Sequence, residues 1–179
     1  MQTSPAQTET ARERLSLDDL AKQSFDDLAK LYAGGRVPAS IRAVDGPLTG
    51  RMLAVKGIAK GPIAKQLRRF AGSKAFVWGG KSFTAENDKR GTGINRLNVP
   101  GVLGRQNLFP FETRFDSSAV DGRETIVLDY DLGQNPPYIR RIHDEIREVS
   151  PGVYLGPAMW KAKNGPVTVL WFALDTGRR

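Results

Sequence analysis

Val153-Tyr-Leu-Gly-Pro-Ala-Met-Trp-Lys-Ala-Lys-Asn-Gly-Pro-Val-Thr-Val-Leu-Trp-Phe-Ala-Leu174 is a pair of apolar, aromatic-rich runs divided by Asn164-Gly165. Each run, 153–161 and 167–174, has the length and the β-branched and aromatic content of a strand. Asn-Gly between two such runs is a strong hairpin signal. A two-residue type I′ loop takes φ > 0 at both positions, which Asn and Gly tolerate and branched residues do not. The stretch therefore reads as an antiparallel hairpin, and it sets the kind of sheet to expect upstream.

Working back from it, short extended runs follow one another at 50–56, 75–83, 92–98, 106–115 and 124–132. Turn signals separate them at Gly79-Gly80, Pro100-Gly101, Asp121-Gly122, Asn135-Pro136-Pro137 and Ser150-Pro151-Gly152. No strand–helix–strand alternation is present, which argues against a parallel sheet. Seven or eight strands in sequence read as a meander, and closure into a barrel removes its exposed edges. The expectation is a mainly β domain: an antiparallel barrel of about eight strands over 48–175, with room inside for one small ligand.

Ahead of the strands stands a near-duplication, Ser16-Leu-Asp-Asp-Leu-Ala-Lys22 and Ser24-Phe-Asp-Asp-Leu-Ala-Lys30. Each Ser is placed to cap a helix N-terminus, and each Asp pair falls in the first turn, where the helix dipole favours it. One helix over 16–33, or two short ones, closed by Gly34-Gly35, would form a helical cap (14–35) across one opening of the barrel. Residues 1–13 are polar and aperiodic and are expected to be a disordered tail, leaving 14–179 as a single domain. A second, basic helix is expected over 60–70, where Ile63, Leu67 and Phe70 share one face and Lys65, Arg68 and Arg69 lie beside it.

Composition narrows the chemistry. The 179 residues include no Cys and one His, which removes disulfides and thiolate sites and makes a metal site improbable. No run approaches the roughly 20 apolar residues of a membrane-spanning helix, and no apolar signal core precedes the domain, so a cytoplasmic location is expected. The net charge of +8 comes from the middle of the chain: residues 49–107 carry 12 basic and 2 acidic side chains. Such a segment attracts anions, whether acidic ligands or nucleic acid, or it is a solvated face. Phe76, Trp78, Phe83, Phe109 and Phe111 interleave with Lys74, Lys81, Arg96 and Arg105, as a stacking surface for single strands would require. Strand alternation would instead send those rings inward as core.

Aromatic, acidic, basic and imidazole groups gather only in Leu128-Asp-Tyr-Asp131 and 135–149. On a strand, Asp129 and Asp131 face one way and Leu128 and Tyr130 the other. Inward acids would need the guanidinium groups of Arg140, Arg141 or Arg147; the other reading is an ion-pair network closing the barrel. His143 is the one imidazole, with Asp144 and Glu145 beside it as orienting carboxylates; a satisfied structural His is the plainer reading. Ser117 and Ser118 lack a nucleophile elbow, Gly91-Thr-Gly93 lacks the remainder of a dinucleotide fingerprint, and no Walker lysine motif is found. Gly79-Gly80-Lys81 reads as a turn or bulge.

Three stretches carry a resemblance to a known family: Trp78-Gly-Gly-Lys-Ser-Phe83, Leu128-Asp-Tyr-Asp131 with 136–147, and Tyr154-Leu-Gly156 with Leu170-Trp-Phe-Ala-Leu174. Together they resemble calycin-like β-barrels, the broad group of lipocalins and fatty-acid-binding proteins, and within it a bacterial group of small calycin-like proteins of unassigned activity. The chain differs from that group at Met52, where a first-strand Trp is usual. The resemblance implies a barrel with an apolar cavity and carries no catalytic assignment.

The functional expectation is a barrel that binds a small hydrophobic or amphipathic molecule, an acidic group being one option. Tyr130, Arg140, Arg147, Tyr154, Trp160, Trp171 and Trp78 are the candidate lining residues. If there is chemistry, it is a cofactor-independent cyclisation or isomerisation that holds a flexible substrate folded, with His143, Asp129 and Tyr130 as candidate catalytic residues and no metal. A nucleic-acid-binding barrel using 49–107 is the alternative. Oligomeric state is open.

Overall fold

The computed structural model describes residues 14–55, 77–99 and 104–178. Two helices, α1 (Leu17–Ala21) and α2 (Phe25–Gly34), and a 3-10 turn (Ile41–Val44) precede eight strands. The strands are β1 (Gly46–Val55), β2 (Val77–Ala85), β3 (Arg90–Val99), β4 (Gly104–Ser117), β5 (Glu124–Asp129), β6 (Ile142–Ser150), β7 (Val153–Ala162) and β8 (Gly165–Asp175). Each pairs antiparallel with the next, and β8 pairs back onto β1 to close a barrel in simple sequence order. The expected tail over 1–13, the basic helix over 60–70 and the Pro100-Gly101 turn lie outside the described residues.

Both helices are capped as the duplicated sequence predicts. Ser16 accepts from the Asp19 N–H at 3.1 Å, and Ser24 from the Asp27 N–H at 3.2 Å, each cap worth about 1 kcal/mol. At 5 residues α1 is too short to persist alone, so docking must hold it. The docking site differs from the expected one. The helices lie on the outer wall of the barrel, where Leu20, Leu28 and Tyr32 pack with the outward faces of Val153, Leu155, Trp171 and Ala173. The wall there is apolar on its outer side as well, and that second apolar face attracts the helices away from an opening.

A different element closes one end. Ile41 and Val44 of the 3-10 turn join the barrel's inner core with Leu48, Phe83, Phe111, Ile126, Ile146, Tyr154 and Leu174. These residues sit toward the end where β1 begins, leaving the opposite end for a cavity.

β6, Ile-His-Asp-Glu-Ile-Arg-Glu-Val-Ser, carries no strand expectation because its polarity masks the alternation. Ile146 faces the inner core, whereas Glu145 and Arg147 face outward into a buried polar layer beneath α2. The final hairpin also departs from the type I′ expectation. Ala162 pairs with Gly165, so Lys163 and Asn164 form the two-residue turn. Gly165 supplies the positive φ, at 106°, and Asn164 does not share it.

Candidate functional site

The open end of the barrel holds a cavity of about 180 Å³. Met52, Leu97, Phe109, Ile142, Met159 and Phe172 are among its apolar walls, and the exposed Tyr138 stands at its rim. Broken strand registers surround it. Shifts occur beside Met52 in β1, between Trp78 and Gly80 in β2, between Ile94 and Asn95 in β3, and between Ala158 and Met159 in β7. Bulges gather at barrel rims because an extra residue re-aims the side chains around it.

The β2 bulge decides the chemistry of the cavity. Regular alternation would send Trp78 and Lys81 to opposite faces; with the shift at Gly80, both line the cavity. Gly80 has φ of 119°, and a Cβ there would stand 2.1 Å from the Leu48 carbonyl oxygen. No other residue fits that position. The β4 side of the cavity is formed by Phe109, which the register skips and which has φ of 59°. Its carbonyl accepts from Asn95 Nδ2 at 3.1 Å, which holds this strained residue with its ring among the cavity walls.

Within these walls is one polar cluster. Lys81 Nζ donates to Asn95 Oδ1 at 2.9 Å, to Tyr130 Oη at 2.5 Å and to Asp144 Oδ2 at 3.0 Å. Tyr130 donates to Asp144 Oδ2 at 3.0 Å and accepts from Asn95 Nδ2 at 3.2 Å. Trp78 Nε1 donates to Asn95 Oδ1 at 3.1 Å. Lys81 and Asp144 are 3% and 4% exposed, so the pair is removed from water. Burial pulls the Lys81 ammonium below the usual lysine range, against the opposing pull of Asp144. Burial and the nearby Asp144 charge push the Tyr130 phenol well up, so it stays a proton donor. The rings of Trp78, Phe111, Tyr130 and Phe172 stand 5.2–5.4 Å from Lys81 Nζ, and their faces favour a cation at that point. Two buried polar atoms of cavity residues have no hydrogen-bond partner: Asp144 Oδ1 and Trp160 Nε1.

Of the residues singled out from sequence, Trp78, Tyr130 and Trp160 line this cavity. Tyr154 is interior but belongs to the core at the plugged end. Trp171 faces outward, its ring centroid 5.9 Å from Phe25 and 5.5 Å from Tyr32, because the second apolar face of the wall claims it for the helices. Arg147 also points outward. It donates to both oxygens of Asp121 at 2.7 Å and lies 4.4 Å from the Tyr32 ring centroid. Arg140 is exposed and pairs with Asp131 at 2.7 Å. Asp129 sits on the outer face with Lys161 at 3.0 Å, so both acids of the Asp-Tyr-Asp segment are kept out of the interior.

His143 belongs to the layer beneath α2 and not to the cavity. Its Nε2 lies 3.0 Å from Glu145 Oε1, while Glu145 Oε2 accepts from Tyr32 at 2.6 Å and from Ser118 at 2.5 Å. Burial alone would push the Glu145 carboxyl up, but hydrogen bonds from His143, Ser118, Tyr32 and the Ala119 N–H bring it below its ordinary value. Ser118 donates to the carboxylate and not to the imidazole, so the three groups do not form a nucleophile and base pair.

Lys81, Asn95 and Asp144 are the members of the polar cluster that sequence reasoning did not single out as lining residues. Asp144 lies midway in Ile142-x-Asp144-x-Ile146, a period-two pattern that sends it inward with its isoleucine neighbours. Lys81 follows a Gly-Gly bulge, between Trp78 and Phe83 of the same strand. The aromatics proposed as a stacking surface are interior where described: Phe83 and Phe111 are buried core, and Trp78 and Phe109 line the cavity. Phe76 and Lys74 lie outside the described residues.

No protein-family model matches the chain, and no curated protein sequence matches it. A solved structure described as "Crystal structure of protein from Thermomonospora curvata" is similar to it, with a TM-score of 0.52 and 20% identity. That similarity covers 87% of this chain and 89% of that one, and at this identity it is a likeness of fold. Among the described residues, no helix is long and apolar enough to cross a membrane.

Proposed function

We propose that this barrel, coarsely calycin-like in its eight-strand meander, binds a small, largely apolar molecule in the cavity at its open end. One observation carries the reading: a predominantly apolar cavity contains a buried Lys81–Tyr130–Asn95–Asp144 cluster. Stability alone does not account for a cluster of that kind, since two buried charges in hydrocarbon surroundings are often worth less than apolar residues of the same volume. Ligand sites have this composition, with apolar walls for affinity and a few convergent polar groups for orientation. Where the bound molecule is flexible and reactive, the same walls would hold it folded. Tyr130 and Lys81 would then serve as proton donors and Asp144 as acceptor for a cofactor-independent cyclisation or isomerisation.

The test is titration with N-phenyl-1-naphthylamine, an apolar dye that fluoresces out of water. Saturable one-to-one binding is expected, and Ala158→Phe, which fills the cavity, should abolish it. Dye binding that is absent, or indifferent to Ala158→Phe in a folded variant, overturns the reading. Native mass spectrometry of freshly isolated protein would add the mass of a retained molecule.

A further inference from the structure

The hydrogen-bonding capacity of the cluster is used on one side only. A lysine ammonium has three N–H donors, and those of Lys81 go to Asn95, Tyr130 and Asp144. The single Tyr130 hydroxyl proton goes to Asp144 Oδ2. Both Asn95 amide protons are engaged, with the Phe109 carbonyl and Tyr130 Oη. No donor of the cluster is left over. The open position is an acceptor, Asp144 Oδ1, buried and without a partner.

From this asymmetry we infer that the cavity selects molecules whose inner end donates a hydrogen bond, a hydroxyl or an amine, and discriminates against carboxylates. The inference rests on the binding reading above and names its ligand class. A carboxylate arriving head first would meet no free donor and would set its charge beside Asp144. Arriving tail first, it would leave Asp144 Oδ1 against hydrocarbon, at the cost of an unpaired buried acceptor. A hydroxyl or ammonium group would supply the donor that Asp144 Oδ1 lacks. Nearer the mouth, Trp160 Nε1 is a buried donor without a partner. Trp160 is paired with Ile142, two residues along β6 from Asp144. A ligand with a donor at its inner end and an ether or carbonyl oxygen further out would satisfy both positions. This preference is opposite to the one that the net charge of +8 would suggest.

The experiment displaces bound N-phenyl-1-naphthylamine with 1-hexanol, 1-hexylamine and hexanoate, matched in chain length and different in head group. The alcohol and the amine should displace the dye at concentrations at least about tenfold below hexanoate, the size of one hydrogen bond to a charged acceptor. Asp144→Asn, which puts an amide at this position, should erase the gap. Where that variant fails to fold, the wild-type ranking decides alone. Hexanoate competing as well as hexanol, or better, overturns the inference and leaves the binding reading intact. A dye that never binds overturns both.

Discussion

Lys81 Nζ and Asp144 Oδ2 stand 3.0 Å apart inside the barrel, on strands β2 and β6 that share no hydrogen-bonded edge. The pair thus joins opposite walls, and its members are unequal in what their removal leaves behind. Lys81→Met would strand the Asp144 carboxylate among aromatic rings and should cost about 3 to 5 kcal/mol in urea unfolding. Combining it with Asp144→Leu should restore most of that loss. A double variant no more stable than Lys81→Met would show that the pair is not the source of the cost.

The outer polar layer sets the response to acid. Hydrogen bonds from Arg147 hold the Asp121 carboxyl down at about 2, and Glu145 is also lowered. Depressed carboxylates stabilise the fold fully above their unfolded values, near pH 4, and lose that contribution as pH falls through the folded value. Stability should therefore decline between about pH 4 and pH 2. Asp121→Asn should flatten that part of the profile, as measured by urea midpoints at each pH. An unchanged profile would remove Asp121 from the acid response.

Gly165 has nothing within 4 Å of where a Cβ would be, yet its φ is 106°. Substitution there is limited by backbone strain and not by crowding. Gly165→Val should cost on the order of 1 to 3 kcal/mol and Gly165→Asn distinctly less, read as shifts in Tm. Equal costs for the two would point to a changed turn.

Trp171 offers the opposite case, a fully packed side chain at 1% exposure between barrel and helices. Trp171→Ala should cost about 3 to 5 kcal/mol. Because the residue faces away from the cavity, dye affinity of the folded fraction should stay within about twofold, as sites without shared partners behave nearly additively. A large loss of affinity at retained fold would connect the outer layer to the cavity.

The barrel was legible in the sequence because seven of its strands carry apolar or aromatic runs bounded by turn residues. Closure followed from the order of those runs. β6 was not legible: its outward Glu145 and Arg147 meet buried partners on α2 and the loop after β4, contacts that hydropathy cannot express. Trp171 and Arg147 were expected inside for a related reason. A wall covered on both faces gives the same residue types inward and outward, so alternation alone does not tell which side is the cavity. Trp78, Tyr130 and Trp160 were found because a ring of that size on an inward position has few other places to go. Lys81 was read as part of a turn because bulges shift parity by one residue, and a bulge announces itself only through its glycines.

The pairing of β8 with β1 also governs how this chain can come into being. Thr49 meets Asp175, and Met52 meets Phe172, partners separated by almost the whole described chain. On a ribosome, the first strand is made long before the last, and until β8 emerges β1 presents an unpaired edge to whatever is nearby. Closure must wait until β8 has been made, and contacts of such long sequence separation make refolding slow compared with a helical protein of equal length. A chain truncated before Gly165 would not settle into a smaller barrel; it would keep two open edges and pair them with other chains.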